Sequence, residues 1–160
     1  MNLRKRPDAL LTLPCFRHLE GRERSVLYAN IDTVLTAGGE SFWAATQTGS
    51  EVILVIQGEL TTTGQQPRAF RPGMIAGVLA MLDPTRCPYV VRVVRPSRLG
   101  FLSQRQLEAA MSGSPAFRGL VGTALIDDLH DDASRRTRRC LSKSSTGMRS
   151  AAVTAALPEW

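Results

Sequence analysis

Along this chain the rhythm of hydrophobic and polar positions changes three times. Residues 8–29 read as helical. Asp8 is placed to cap a short turn through Leu11, and Pro14 begins a new piece. Leu19, Val26, Leu27 and Ala29 offer an apolar face to a helix near 21–29. From Ile31 onward, short apolar runs alternate with Gly and Pro at intervals of about 8–12 residues, the rhythm of an all-β sandwich or barrel. The runs cover 32–35, 41–45, 51–56, 59–63, 68–70, 89–94 and 97–102. Val52 to Ile56 is continuously apolar rather than alternating, which predicts a strand in the middle of the core.

Helical signals return at Ser103. Ser103 and Gln106 have the spacing of a capping box, followed by Leu107, Ala110 and Met111. Ser112-Gly113 ends that helix. Ser114-Pro115 supplies the cap and first-position proline of the next. Its apolar residues Phe117, Leu120, Val121, Ala124, Leu125 and Leu129 form one stripe. That stripe either packs on the β region or pairs with a second copy. Asp127, Asp128, Asp131 and Asp132 read as the solvated face of the same helix. Beyond Arg135 the stripe fades, 142–147 reads as flexible, and 150–157 as a weak helix. The chain divides into a basic arm (1–7), one domain (8–134) and a basic, flexible tail (135–160).

Several short motifs resemble the cyclic-nucleotide-binding domain of the catabolite-activator family. Ala37-Gly38-Gly39-Glu40 is similar to its early Pro-x-Gly-Glu turn, and Gly49 falls at a turn glycine. The strand Val52 to Ile56 followed by Gln57-Gly58-Glu59-Leu60 resembles its apolar-strand, x-Gly-x-apolar signature. Pro72-Gly73-Met74-Ile75-Ala76-Gly77-Val78-Leu79-Ala80-Met81-Leu82 resembles the start of its phosphate-binding cassette. Pro96 to Ser103 resembles the strand that leads into the next helix. The resemblance spans about residues 11–129. It implies a mainly β fold with flanking helices: a jelly-roll, cupin-like double-stranded β-helix with N-terminal helices and two C-terminal helices.

The same resemblance implies a degenerate ligand pocket at Gly77, Val78, Leu79, Ala80, Arg86, Cys87, Pro88 and Tyr89. In the family, backbone N–H groups at a short helix start hold a cyclic phosphate. A Glu after the glycine accepts from the ribose, and an Arg then a Ser or Thr serve the phosphate. Here Val78 stands at the Glu position, Cys87 at the Arg position, and Pro88 at the Ser/Thr position. Tyr89 adds bulk where the family has a small residue. Losing two buried charged hydrogen bonds of roughly 1.5–3 kcal/mol each weakens binding by about 10²- to 10⁴-fold. Arg86 lies one position from the Arg slot, and a one-residue shift would bring it inward.

Charge adds a second theme. The net charge is +6, and between residues 133 and 158 the chain carries Arg135, Arg136, Arg138, Arg139, Lys143 and Arg149 with no acid. Such a run suits phosphate-rich partners through nonspecific, salt-dependent contacts. Aromatic residues are missing from the run, so base stacking is not suggested. The resemblance makes the 114–129 helix a candidate dimer axis, where Gly119 and Gly122 permit close approach. The about 30 residues after Leu129 show no helix-turn-helix pattern. His18 and His130 are isolated, so no metal site is expected. Cys15, Cys87 and Cys140 are odd in number and far apart, which argues against a disulfide framework. Cys87 beside Arg86 is a candidate reactive thiol, weighed against an inert buried one. No apolar run is long enough for a membrane span, and a cytoplasmic location is expected. No catalytic constellation and no resident cofactor are expected. Functionally the sequence points to a regulatory module working by protein–protein contact. A sensor of cAMP, cGMP or another small anion through Gly77 and Arg86, or a nonspecific nucleic-acid binder, are the alternatives.

Overall fold

The computed structural model describes residues 7–44, 51–63, 67–83 and 89–149, and at residues 7, 43, 44, 89, 136 and 138–149 the backbone only. Two 3-10 turns, Pro7–Thr12 and Pro14–Phe16, open the chain, the second begun by Pro14. Helix α1 (Gly21–Asn30) follows. The β region contains β1 (Asp32–Thr36), β2 (Ser41–Ala44), β3 (Glu51–Thr62), β4 (Ala69–Phe70), β5 (Ile75–Ala76) and β6 (Tyr89–Ser103). A short helix α2 (Val78–Leu82) lies between β5 and β6, and α3 (Gln104–Gly113) and α4 (Pro115–Arg149) close the description. The mainly β architecture with flanking helices is the one expected.

Strands β3 and β6 form the antiparallel centre. Strand β6 also pairs with β1 and β2, and β3 with β4 and β5. The unbroken apolar run of β3 is explained by burial on both faces. Val52, Leu54 and Ile56 face a layer built from Phe16, Leu27, Leu107, Phe117 and Val121. Ile53 and Val55 face the interior of the roll with Leu60, Phe70, Val91, Val93 and Leu99. Period-two alternation therefore sends successive apolar residues to two different cores.

Four short runs expected from the sequence are two long strands here. The fusion occurs where Gly58 meets Pro96 and Ser97. Gln57 pairs with Arg98 and Glu59 with Arg95, so one residue opposes two and a β-bulge results. Pro96 has no N–H to offer a ladder, and the bulge is where that is tolerated. The Ser97 hydroxyl donates to the Arg95 carbonyl at 2.6 Å and accepts from the Glu59 N–H at 3.1 Å. Gly58 has φ +95, and a Cβ there would lie 2.6 Å from the Ser97 Cβ.

The helical layer is pinned at its turns. Ser103 and Gln106 form the expected capping box on α3. The Ser114 hydroxyl accepts from the Phe117 N–H at 3.1 Å and donates to Glu23 of α1 at 2.6 Å. Gly113 lies so close to α1 that a Cβ would meet Val26 at 2.5 Å. One expectation fails. Ala29 is exposed, leaving Leu27 as the buried residue of α1, because α1 contacts its neighbours along a narrow line. Helix α4 runs from Pro115 to Arg149, across 134/135 and through 142–147. Four arginines between 135 and 139 are good helix formers, and Asp131 pairs with Arg135 one turn on at 2.8 Å. Residues 150–157 lie outside the description. Among the described residues no helix is long and apolar enough to cross a membrane.

The bulge yields the first prediction. Gly58→Ala combines left-handed strain with a clash against Ser97, and is expected to cost about 2–4 kcal/mol. Gly39→Ala is the control: its φ is +93, but nothing lies within 4 Å of the added Cβ, so strain alone applies. Urea unfolding of both variants checks the ranking; equal losses would mean the bulge is not tightly packed.

Candidate functional site

The segment that resembles the cassette folds as β5, a turn at Gly77, and α2. Gly77 has φ 91 and ψ 7, a left-handed conformation that glycine adopts at little cost. It stands at the N-cap of α2 and has no side chain with which to cap it. Val78, at the position where the resemblance implies a Glu, is fully buried in the helix-side core. An apolar side chain there packs; it presents no acceptor to a ribose. Leu79 and Ala80 are partly buried, and Ala80 packs against the same core. Arg86, Cys87 and Pro88 lie outside the described residues, and Tyr89 is described by its backbone, which pairs with Ala44.

The missing cap comes from elsewhere in the chain. The Leu79 N–H donates to Oδ2 of Asp128, on α4, at 3.2 Å. The other oxygen, Oδ1, accepts from the Arg68 guanidinium at 2.6 Å. The Asp128 side chain is 4% exposed and the Arg68 side chain 17%. Arg68 is itself fixed: its backbone exchanges two bonds with Thr62, N–H to Oγ1 at 2.8 Å and carbonyl from N–H at 2.9 Å. Its guanidinium lies 4.7 Å from the Phe70 ring centre, in cation–π contact. Three elements thus converge on one carboxylate: the lead-in to β4, the start of α2, and α4.

Burial pushes the Asp128 carboxyl above the usual aspartate range, and Asp131 on the same helix adds to this. The Leu79 N–H and Arg68 pull the other way and do not fully compensate. Such a pair is costly to desolvate, by several kcal/mol per ion, but costlier still to break on one side.

Sequence reasoning placed Asp128 on the solvated face of the last helix, and the structure corrects this. Phe117, Val121 and Ala124 are buried, and Asp128 continues their line at helical spacing, four residues after Ala124. An acid that extends an apolar stripe was the signal for a buried partner. Nothing in the local sequence marked Arg68. Of the candidate dimer or partner residues, Phe117, Val121 and Ala124 are spent on the chain's own core, and Leu120 and Leu125 pack partly against it. Leu129 faces outward. Of the expected anion-binding residues, Arg135 pairs with Asp131, while the side chains of Arg136, Arg138, Arg139 and Lys143 lie outside the description. Cys15 is a free thiol whose pKa burial pushes up, which keeps it protonated and poorly reactive.

The Asp128 shift fixes the sign of a pH effect. The folded carboxyl holds its proton to a higher pH than an unfolded aspartate, with its value of 3.8. Its contribution to stability is therefore full below that value and declines as pH rises through the folded-state value. Urea unfolding of the wild type and Asp128→Asn across the acid range should show the wild type losing ground to the variant as pH rises. A difference that is flat with pH would mean that the carboxyl is not shifted.

No protein-family model matches this sequence, and no curated protein is significantly similar to it. Solved structures do share its shape. A chain from Geobacter metallireducens described as a cyclic nucleotide-binding protein superposes with a TM-score of 0.55, covering 79% of this chain and 96% of that one at 15% identity. The cAMP-bound PfPKA-R superposes with a TM-score of 0.53, covering 83% of this chain at 16% identity. This chain spans 44% of that second structure. At such identities the likeness speaks to architecture, and the chain has the fold of the cyclic-nucleotide-binding domains.

Proposed function

We propose that this chain is a non-enzymatic regulatory module. It keeps the cyclic-nucleotide-binding fold, has lost ordinary binding of cAMP and cGMP, and acts through protein–protein contacts. The observation that carries this reading is the Leu79–Asp128 bond. A backbone donor at the start of α2, in the segment that resembles a phosphate cassette, is already bonded to a buried carboxylate. A phosphate brought to the same place would meet a negative charge at close range. Val78 supports the same reading, because its side chain is committed to the core.

Isothermal titration with cAMP and cGMP tests this, with Arg86→Ala as the matched control. No heat at millimolar nucleotide is expected. Micromolar binding abolished in Arg86→Ala would overturn the reading and establish a sensor whose pocket is rebuilt around Arg86.

A second copy of the chain is the partner that the exposed side of α4 fits. Ile126 and Leu129 are 55% and 43% exposed on that side. Nothing lies within 4 Å of a Cβ added at Gly119 or Gly122. Positions 119, 122, 126, 129 and 133 repeat at intervals of three and four, the spacing of a two-helix coiled coil, with small residues at both ends and Ile126 and Leu129 between them. This seam replaces the apolar stripe expected from the sequence, most of which faces the roll. Burying one such side chain stabilises by about 1.5–3 kcal/mol. Sedimentation velocity should therefore show a dimer that Ile126→Glu with Leu129→Glu converts to a folded monomer. An unchanged sedimentation coefficient in the variant would remove α4 as the interface.

A further inference from the structure

The position that Asp128 occupies is built by other parts of the chain. One donor is the Arg68 guanidinium, which lies over the Phe70 ring while Thr62 holds the Arg68 backbone. The other is the Leu79 N–H. Both suit an anion, and α4 provides one: each Asp128 oxygen takes one donor. Among the described residues Asp128 is also the last buried position on α4, since residues 129–135 and 137 are all at least partly exposed.

We propose that Asp128 is a tethered anion, and that α4 stays closed over α2 because its own carboxylate occupies a position shaped for a small carboxylate. The contact is autoinhibitory in form: it ties up Arg68 and the start of α2 together and fixes where the outer half of α4 points. The tether gives the carboxylate a high effective concentration, so external anions do not compete with it in the wild type. Once the carboxylate is removed, Arg68 is a partly buried cation without this partner, and a free carboxylate of the same size should take the vacated place. This inference rests on the geometry around Asp128 and not on the fate of cyclic nucleotides. Nucleotide binding by the wild type would defeat the proposed function and leave the experiment below to be decided separately.

The experiment is chemical rescue. Asp128→Ala removes the carboxylate, and formate has the dimensions to replace it. Thermal unfolding is followed in sodium formate and in sodium chloride of equal ionic strength. Wild-type stability should be the same in the two salts. Asp128→Ala should melt several degrees lower in chloride and regain at least half of that loss in formate, with a saturating dependence on concentration. Arg68→Ala with Asp128→Ala should show no formate-specific gain. Equal behaviour of Asp128→Ala in the two salts, or the same gain in the double variant, would sink the proposal. If Asp128→Ala does not fold, Asp128→Asn keeps the shape and removes the charge. Amide exchange of Leu79 and Met81 should then rise about tenfold, or about 1.4 kcal/mol, while the β3 and β6 amides stay protected. Unchanged exchange at α2 would equally overturn the idea.

Discussion

The structure depends on β3 being buried on both of its faces. A strand of this kind has no solvent side, so its odd and even residues need separate apolar partners. Strands β4, β5 and β6 supply one set by curling into the roll, and the 3-10 turns and helices supply the other. The helices are therefore half of the arrangement that keeps Val52, Leu54 and Ile56 from water, and not appendages to a finished barrel. Phe117 of α4 meets Phe16 of the N-terminal turns with ring centres 6.1 Å apart, which joins the two ends of the helical layer. Once α4 lies along this layer, its next inward-facing turn passes over α2, and Asp128 arrives at Leu79.

Much of the fold was legible because the signals were local. The capping box at Ser103, the cap at Ser114 and the break at Pro14 are chemical statements made within a few residues, and each appears where the sequence places it. The joined strands were not legible for the opposite reason. Gly58 and Pro96 each read as a terminator, and only their meeting across the sheet, 38 residues apart, turns two breaks into one bulge. The fading of the apolar stripe past Arg135 gives no measure of the length of α4, which runs to Arg149. A stripe reports what a helix packs against. Continuation past the packed region depends on propensity and on local i,i+4 pairs, and the arginine-rich segment has both in Arg135 to Arg139 and the Asp131–Arg135 pair.

The candidate site divides along the same line. Gly77 and Val78 could be placed by matching a motif, since the cassette is contiguous. The Arg68–Asp128 pair could not, because its members are 60 residues apart and each is unremarkable in its own neighbourhood. Charged residues near the end of an amphipathic helix are usually solvated, and in sequence Asp128 looks no different from its neighbours. Helical phase distinguishes them. Asp127 and Asp132 sit to either side of the apolar line, whereas Asp128 lies on it.

That phase also decides what the remainder of α4 can do. With Asp128 fixed inward, Ile126 and Leu129 must face outward, and the side of the helix open to a partner is set by the same bond that closes the cassette segment. About 20 residues of α4 follow Asp128, an arm of roughly 30 Å at 1.5 Å per residue. A rotation of about 10° at Asp128 would carry the far end through about 5 Å. A single buried carboxylate, bonded to one guanidinium and one backbone N–H, thus fixes the direction of a helix much longer than its own contact. Replacing such a pair with apolar residues often preserves stability. What an apolar replacement would not reproduce is the requirement for one specific rotation of α4, because hydrophobic contact is non-directional and two hydrogen bonds to one carboxylate are not.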